Sequence, residues 1–249
     1  MKTSENMVLI TGGATGIGFS LAEFVKAGNE VIICGRRENK LEEAKKKLSV
    51  IHTFQCDVSK DGERKKLFEW ATSNFKNLNI LVNNAGTQRM IDFKKGRYDL
   101  FNGEDEIEVN LKVCIHLSAY FIPFLMKQKE AAIVNISSGL GFIPLAITPV
   151  YSATKAAIHS FSLSLRHQLR TTSIKVFEII PPTVDTELDK GARDKRGRTD
   201  KGIQPSEVAK TAMEALKKDQ FEFPVGRAEN LRMGARNNPE QMFQNINRW

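Results

Sequence analysis

Tyr151 and Lys155 stand four residues apart in Tyr151-Ser152-Ala153-Thr154-Lys155. On a helix that spacing puts both side chains on one face. A tyrosine hydroxyl is a poor acid–base near neutral pH, and an adjacent ammonium favours its phenolate form and moves it toward a useful range. Ser138 precedes Tyr151 by 13 residues and ends the strand-like run Asn135-Ile136-Ser137-Ser138. The carboxyl ends of parallel strands are where such sheets place ligands. Alone, a Tyr-x-x-x-Lys spacing arises on many helices, and Tyr151 also reads as a half-buried helix tyrosine.

A second group of residues suits phosphates. Thr11-Gly12-Gly13-Ala14-Thr15-Gly16-Ile17-Gly18 lies between an apolar strand-like run and a helical segment. Glycines there let the backbone turn tightly and approach a pyrophosphate, which the free N–H groups of a helix N-terminus stabilise. The spacing is GxxxGxG rather than GxGxxG, and a glycine cluster alone is often a plain turn. Its strand-then-helix position favours the phosphate-binding reading, with Gly12, Thr15, Gly16, Ile17 and Gly18 as the contacts. After the second strand the chain reads Gly35-Arg36-Arg37, with Glu38 the nearest carboxylate. An acidic residue at that strand end selects a ribose hydroxyl, whereas arginine accommodates a 2′-phosphate. Arg36 and Arg37 therefore predict NADP, with NAD as the other option; solvated surface arginines are the plain alternative.

These groups need a scaffold. Apolar runs at Met7–Ile10, Val31–Cys34, His52–Cys56, Ile80–Val82, Ile133–Ile136 and Ile174–Ile180 alternate with helical segments. The helices are predicted near Phe19–Ala27, Lys40–Leu48, Glu63–Phe75, Glu106–Lys127 and Tyr151–Arg170. Glu42 and Glu43 are placed to pair with Lys46 and Lys47, and Pro123 predicts a kink. Continuous rather than alternating apolar strands mean burial on both faces, hence a parallel sheet with helices on each side. The expected fold is α/β, a single-domain Rossmann-type doubly wound parallel sheet spanning residues 1–249. Beyond Pro182 a helix at Pro205–Lys217 and a strand at Phe221–Val225 are expected, and the tail 227–249 is unassigned.

The 249 residues carry 37 Lys and Arg against 29 Asp and Glu, a formal charge of +8. That balance permits nucleic acid, an acidic protein or a phosphorylated ligand as partner. No RNP, KH or zinc pattern is present, so no nucleic-acid partner is expected. His52, His116, His159 and His167 lack ligand spacing, so no metal site is expected. His159 shares a face with Lys155 and is read as a packing residue. Cys34, Cys56 and Cys114 form no CxxC pair and predict buried thiols in a reducing compartment. The polar start and the interrupted apolar stretch near Val113–Met126, short for a bilayer, predict a cytoplasmic protein without membrane contact.

The full set of residues resembles the short-chain dehydrogenase/reductase family over residues 7 to 226. It is carried by the Thr11–Gly18 turn, Asp57-Val58, Asn83-Asn84-Ala85-Gly86, Asn110, Ser138, Tyr151, Lys155 and Pro181 to Thr186. The resemblance implies an NADP(H)-dependent oxidoreductase moving a hydride between nicotinamide and a carbonyl or secondary alcohol. Tyr151 would be the general acid or base, Lys155 its pKa-lowering partner and a ribose ligand. Ser138 would hydrogen-bond the substrate oxygen, and Asn110 would hold a water relaying protons to Lys155. Asp57 and Val58 would meet the adenine, Asn84, Ala85 and Gly86 would line the cofactor cleft, and Pro181, Val184 and Thr186 would touch the nicotinamide half. Read singly, Asp57 is also a helix cap, Asn83–Gly86 a turn and Asn110 a buried amide.

Pro182 stands where the family commonly has glycine, removing an N–H from that turn. The Pro181–Leu188 wording is similar to the DltE-type oxidoreductases of the family. By the same resemblance, residues 187–226 hold the substrate lid, basic between Asp189 and Gly202, with the last helix and strand. A homodimer or homotetramer through 106–127 and 151–170 is expected. The tail, with Met242, Phe243, Ile246 and Trp249, is expected to dock on a partner subunit or the substrate cleft. Two other functions remain open: a ketoacyl carrier-protein reductase-like enzyme and a catalytically silent dinucleotide sensor.

Overall fold

The protein is described here by a computed structural model covering residues 1–26, 28–188 and 202–248. Seven parallel strands form one sheet in the order β3-β2-β1-β4-β5-β6-β7. They are β1 (Met7–Thr11), β2 (Glu30–Gly35), β3 (His52–Gln55), β4 (Leu78–Asn83), β5 (Ala131–Ile136), β6 (Ile174–Ile180) and β7 (Glu222–Pro224). The chain runs outward from β1 to β3, returns across the sheet to β4 and then runs outward again. A crevice therefore opens between the carboxyl ends of β1 and β4.

Alternate residues of each strand feed two separate cores. Val8 and Ile10 of β1, Val31 and Ile33 of β2 and Ala132 and Val134 of β5 pack on one face. There they meet Leu21 and Ala22 of α1 (Gly16–Val25), Leu41 and Ala44 of α2 (Glu38–Lys47) and Val208 and Ala212 of α7 (Pro205–Lys217). Met7, Leu9, Ile32 and Ile133 pack on the other face. They meet Leu67 and Ala71 of α3 (Asp61–Asn74), Leu117, Phe121 and Leu125 of α5 (Val113–Leu125) and Leu165 of α6 (Pro149–Gln168). Burial on both faces explains the unbroken apolar strands.

Several local expectations are corrected. The long helix before β5 begins with a π-helical stretch, Ile107–Lys112, and passes into α5, with Pro123 in the last turn. From Ile107 to Leu125 the stretch is long and apolar enough to cross a membrane by length and composition. Its Leu117, Phe121 and Leu125 are nevertheless fully buried against the sheet. On α2 the ion pair formed is Lys40 with Glu43 at 2.8 Å, one turn earlier than anticipated. Between β4 and the π-helical stretch lie a 3-10 turn, Phe93–Lys95, and a short helix α4, Arg97–Phe101, neither anticipated.

The tail is a helical hairpin, α8 (Ala228–Asn237) and α9 (Pro239–Ile246). It docks on its own chain: Asn247 donates to the Pro144 carbonyl at 3.1 Å and accepts from the Ala146 N–H at 2.7 Å. Cys34, Cys56 and Cys114 are buried free thiols, and burial pushes Cys56 and Cys114 each up to about 12. The basic stretch between Asp189 and Lys201 lies outside the described residues.

Candidate active site

The glycine turn follows β1 directly. Gly12 and Gly16 adopt φ of +64° and +56°, where a side chain would be strained. Thr15 sits extended at the start of α1 and makes no side-chain cap bond, and no acidic residue occupies the first turn. The positive end of the helix faces the crevice, where Arg37 donates to Thr15 Oγ1 at 3.4 Å and pairs with Glu187 on the cleft wall. The turn is tied to the end of β4 by Thr11 and Asn84. Thr11 Oγ1 accepts from the N–H groups of Asn84 and Ala85, both at 3.0 Å. Asn84 Nδ2 donates to the Thr11 carbonyl at 2.8 Å. The Asn84 amide thus braces the turn.

At the carboxyl end of β2, Arg36 is paired with Glu104 and Arg37 with Glu187, the latter at 3.0 Å. Glu104 also accepts from the Thr87 hydroxyl at 2.7 Å. Asp57 follows β3, and its carboxylate accepts from the N–H and hydroxyl of Ser59 at 3.1 and 2.7 Å. It therefore closes its own turn, and Lys60 is the cap position of α3. A cleft of about 370 Å³ is lined by Gly12, Thr15, Gly16, Ile17, Arg36, Arg37, Asp57, Val58, Asn84, Ala85 and Gly86, and also by Tyr151 and Lys155.

Tyr151 and Lys155 lie on α6, both buried, with the Lys155 ammonium 5.6 Å from the Tyr151 ring centre. Lys155 Nζ donates to the Ile136 carbonyl at the end of β5, at 2.8 Å. Burial lowers its pKa to about 8, opposed by the Glu178 carboxylate. Ser138 follows β5, and its Oγ accepts from the Leu140 N–H at 3.1 Å. Asn110 sits in the π-helical stretch, a deformation common at functional sites. Its Oδ1 accepts from the Thr87 N–H at 2.8 Å, and its Nδ2 donates to Thr154 Oγ1 at 3.1 Å. A Cβ added at Gly86 would lie 3.3 Å from Asn110 Oδ1 and 3.9 Å from Lys155 Nζ, so both groups flank the same point.

A second cavity, about 460 Å³, is lined by Ser138, Tyr151, Pro181, Val184 and Thr186 and by a group of Leu and Ile side chains. Ile17, Tyr151, Pro181, Thr186 and Leu188 line both cavities. The two spaces adjoin, and Tyr151 is part of the wall between them. One half offers glycine backbone, an uncapped helix terminus and two arginines; the other offers hydroxyls and apolar side chains. Such a donor set fits a dinucleotide in the first half.

Several positioning residues escape a sequence reading. Glu178, in the middle of β6, is fully buried. It accepts from Ser137 Oγ at 2.5 Å, and its other oxygen lies 2.8 Å from His159 Nδ1. This hydrogen bond raises the His159 pKa against the opposing effect of burial. His159 is thus an ion-pair partner one turn beyond Lys155, not simply a packing residue. Arg64 of α3, also fully buried, donates to the Val58 carbonyl at 2.7 Å and to Glu108 at 2.9 Å. It thereby fixes the Asp57-Val58 loop to the stretch that carries Asn110. A lone acid in an apolar strand was the visible signal for Glu178; Arg64 had none.

A family model described as short chain dehydrogenase matches residues 6–197. The chain is 54% identical over 248 residues to the uncharacterized oxidoreductase DltE of Bacillus subtilis, an alignment spanning 99% of this chain and 98% of that one. A short chain dehydrogenase/reductase from Burkholderia phymatum, solved in complex with NAD, aligns with a TM-score of 0.83 and 21% identity. That alignment covers 96% of this chain and 98% of the other. A short chain dehydrogenase from Burkholderia cenocepacia, solved in complex with NADP, gives 0.82 and 21%, covering 99% of each chain.

Proposed function

The chain belongs to the short-chain dehydrogenase family, and from that premise we propose that it is an NADP(H)-dependent oxidoreductase interconverting a carbonyl and a secondary alcohol. The observation that carries the proposal is Tyr151, a shared wall of the nucleotide-sized cleft and the second cavity, with Lys155 beside it. When bound, the reduced nicotinamide supplies a hydride to the carbonyl carbon and is left oxidised. Tyr151 gives the carbonyl oxygen its proton in that direction and takes it back in the other. The Lys155 ammonium favours the phenolate left behind. Ser138, its hydroxyl oriented by the turn that follows β5, donates to the substrate oxygen. Asn110 and Lys155, facing the same point near Gly86, hold the water that returns a proton to the site.

Gly12, Thr15, Gly16 and Ile17 would cradle the pyrophosphate at the α1 terminus, whereas Gly18, expected as a contact, is buried off the cleft and lets α1 close on Gly12 and Asn84. Asp57 and Val58 flank the adenine, and Asn84, Ala85 and Gly86 form the floor. Pro181, Val184 and Thr186 flank the nicotinamide half. Arg36 and Arg37 hold the 2′-phosphate, which must displace the carboxylates of Glu104 and Glu187. Self-association through α5 and α6 belongs to the same reading, since Ile115 and Leu163 are 37% and 41% exposed there.

The test is oxidation of NADPH and of NADH in the presence of a carbonyl panel, with cofactor affinities titrated alongside. NADPH is expected to be consumed in preference. A charged hydrogen bond is worth about 1.5–3 kcal/mol, so Arg36→Ala should weaken NADPH binding by about 10- to 100-fold and leave NADH little changed. Glu104→Gln should tighten NADPH binding. Equal losses for both cofactors in Arg36→Ala would refute the 2′-phosphate assignment.

A further inference from the structure

Resting on the dehydrogenase reading, we infer that the substrate is a predominantly apolar carbonyl compound, an alkyl or aryl ketone or aldehyde, and that the C-terminal hairpin α8–α9 confers this choice. The second cavity, about 460 Å³, is of the size that buries a small ligand. Beyond Ser138 and Tyr151 its lining is led by Leu140, Leu145, Leu188, Ile203, Leu231 and Ile246. Leu188 is 40% exposed, an apolar surface that a hydrocarbon would cover. Among the described residues, the other polar side chains, Gln88, Thr183, Thr186, Arg227 and Asn230, are half-buried or exposed and retain contact with water. A sugar or an amino acid needs a buried partner for each hydroxyl or charge, because polar groups desolvated without one bind poorly. A hydrocarbon body needs only the leucine and isoleucine surface.

Leu231 and Ile246 reach this wall because the hairpin docks on residues 139–146. Asn247 holds the Pro144 carbonyl and the Ala146 N–H. Leu231 fills the space left by Gly139, where an added Cβ would come within 2.8 Å of its Cδ1. The two helices close on each other at Gly234, where a Cβ would lie 2.4 Å from Met242 Cε. The apolar character of the site therefore depends on a segment outside the strand–helix alternation that holds the nucleotide.

The experiment is a chain-length series of 2-alkanones, from butanone to decanone, with glucose and serine as polar comparators. For wild-type protein with NADPH, kcat/KM should rise about fourfold per methylene until the cavity is filled. Ile246→Ala should lower the ratio of long-chain to short-chain kcat/KM by at least about fourfold. Calorimetric binding of the same ketones to Tyr151→Phe loaded with NADPH should show the same slope without turnover. A flat series in both measurements, or glucose or serine surpassing the ketones, would overturn the inference. A slope in binding with no turnover in wild type would instead refute the dehydrogenase reading and leave the apolar site standing.

Discussion

Replacing Tyr151 by phenylalanine should lower kcat for NADPH-dependent carbonyl reduction by about 10²- to 10⁴-fold, the range supplied by a positioned proton donor. The change removes one oxygen and leaves the ring that borders both cavities, so the packing of α6 should persist. One hydrogen bond separates the two side chains in cofactor affinity, so the NADPH dissociation constant should change by less than about tenfold. Lys155 would remain on the Ile136 carbonyl at the end of β5, which makes the variant a test of the phenol and not of its neighbour. Steady-state turnover paired with fluorescence titration of NADPH reads both quantities. Turnover within a few-fold of wild type would remove Tyr151 from proton transfer; a cofactor affinity that collapses would make it a binding residue.

The second large effect is one of stability. Glu178→Ala should cost about 3 kcal/mol, because it strips Ser137 and His159 of a fully buried partner and leaves a void in β6. Glu178→Gln keeps the volume and the bond to Ser137 and should cost less. The pair also imposes a pH dependence of definite sign. The folded pKa of His159 is raised above its ordinary 6.5. Its stabilisation is therefore complete below about pH 6.5 and is lost as pH rises through the folded value. Denaturant unfolding across pH 5.5–9 should show that decline in wild type and a weaker one in Glu178→Gln. The other charges near the pair, Lys155 and Arg166 on α6, Glu222 on β7 and Arg232 on α8, remain in both proteins. Equal slopes in the two proteins would assign the dependence elsewhere.

How far the sequence reaches depends on whether a feature is local. Ile133–Ile136 and Ile174–Ile180 are readable because a strand buried on both faces leaves a mostly apolar run without strict alternation. Tyr151 and Lys155 are readable because four residues on a helix fix a shared face. The π-helical stretch around Asn110 leaves no such mark, since one added residue per turn changes hydrogen bonding without altering composition. The pairing of Arg36 with Glu104 joins residues 68 apart through a loop that carries no periodic pattern. The hairpin α8–α9 is built from helices of 10 and 8 residues, too short to be stable by propensity alone. They are held by docking on residues 139–146, a contact that exists only once β5 and α6 are assembled. The sequence leaves the tail open between a partner subunit and the substrate cleft; within the chain, Ile246 lines the second cavity and Asn247 donates to the Pro144 carbonyl.

The central claim is that a hydride and a proton meet at a carbonyl in the cavity bordered by Ser138 and Tyr151. It is tested most directly with NADPH carrying deuterium at the transferring position of C4, incubated with the protein and a 2-alkanone. The prediction is a secondary alcohol with one deuterium on its carbinol carbon and none on oxygen after exchange with water. Saturating NADPH binding with every label retained on the cofactor across the carbonyl panel would contradict the claim and make the protein a dinucleotide-binding sensor.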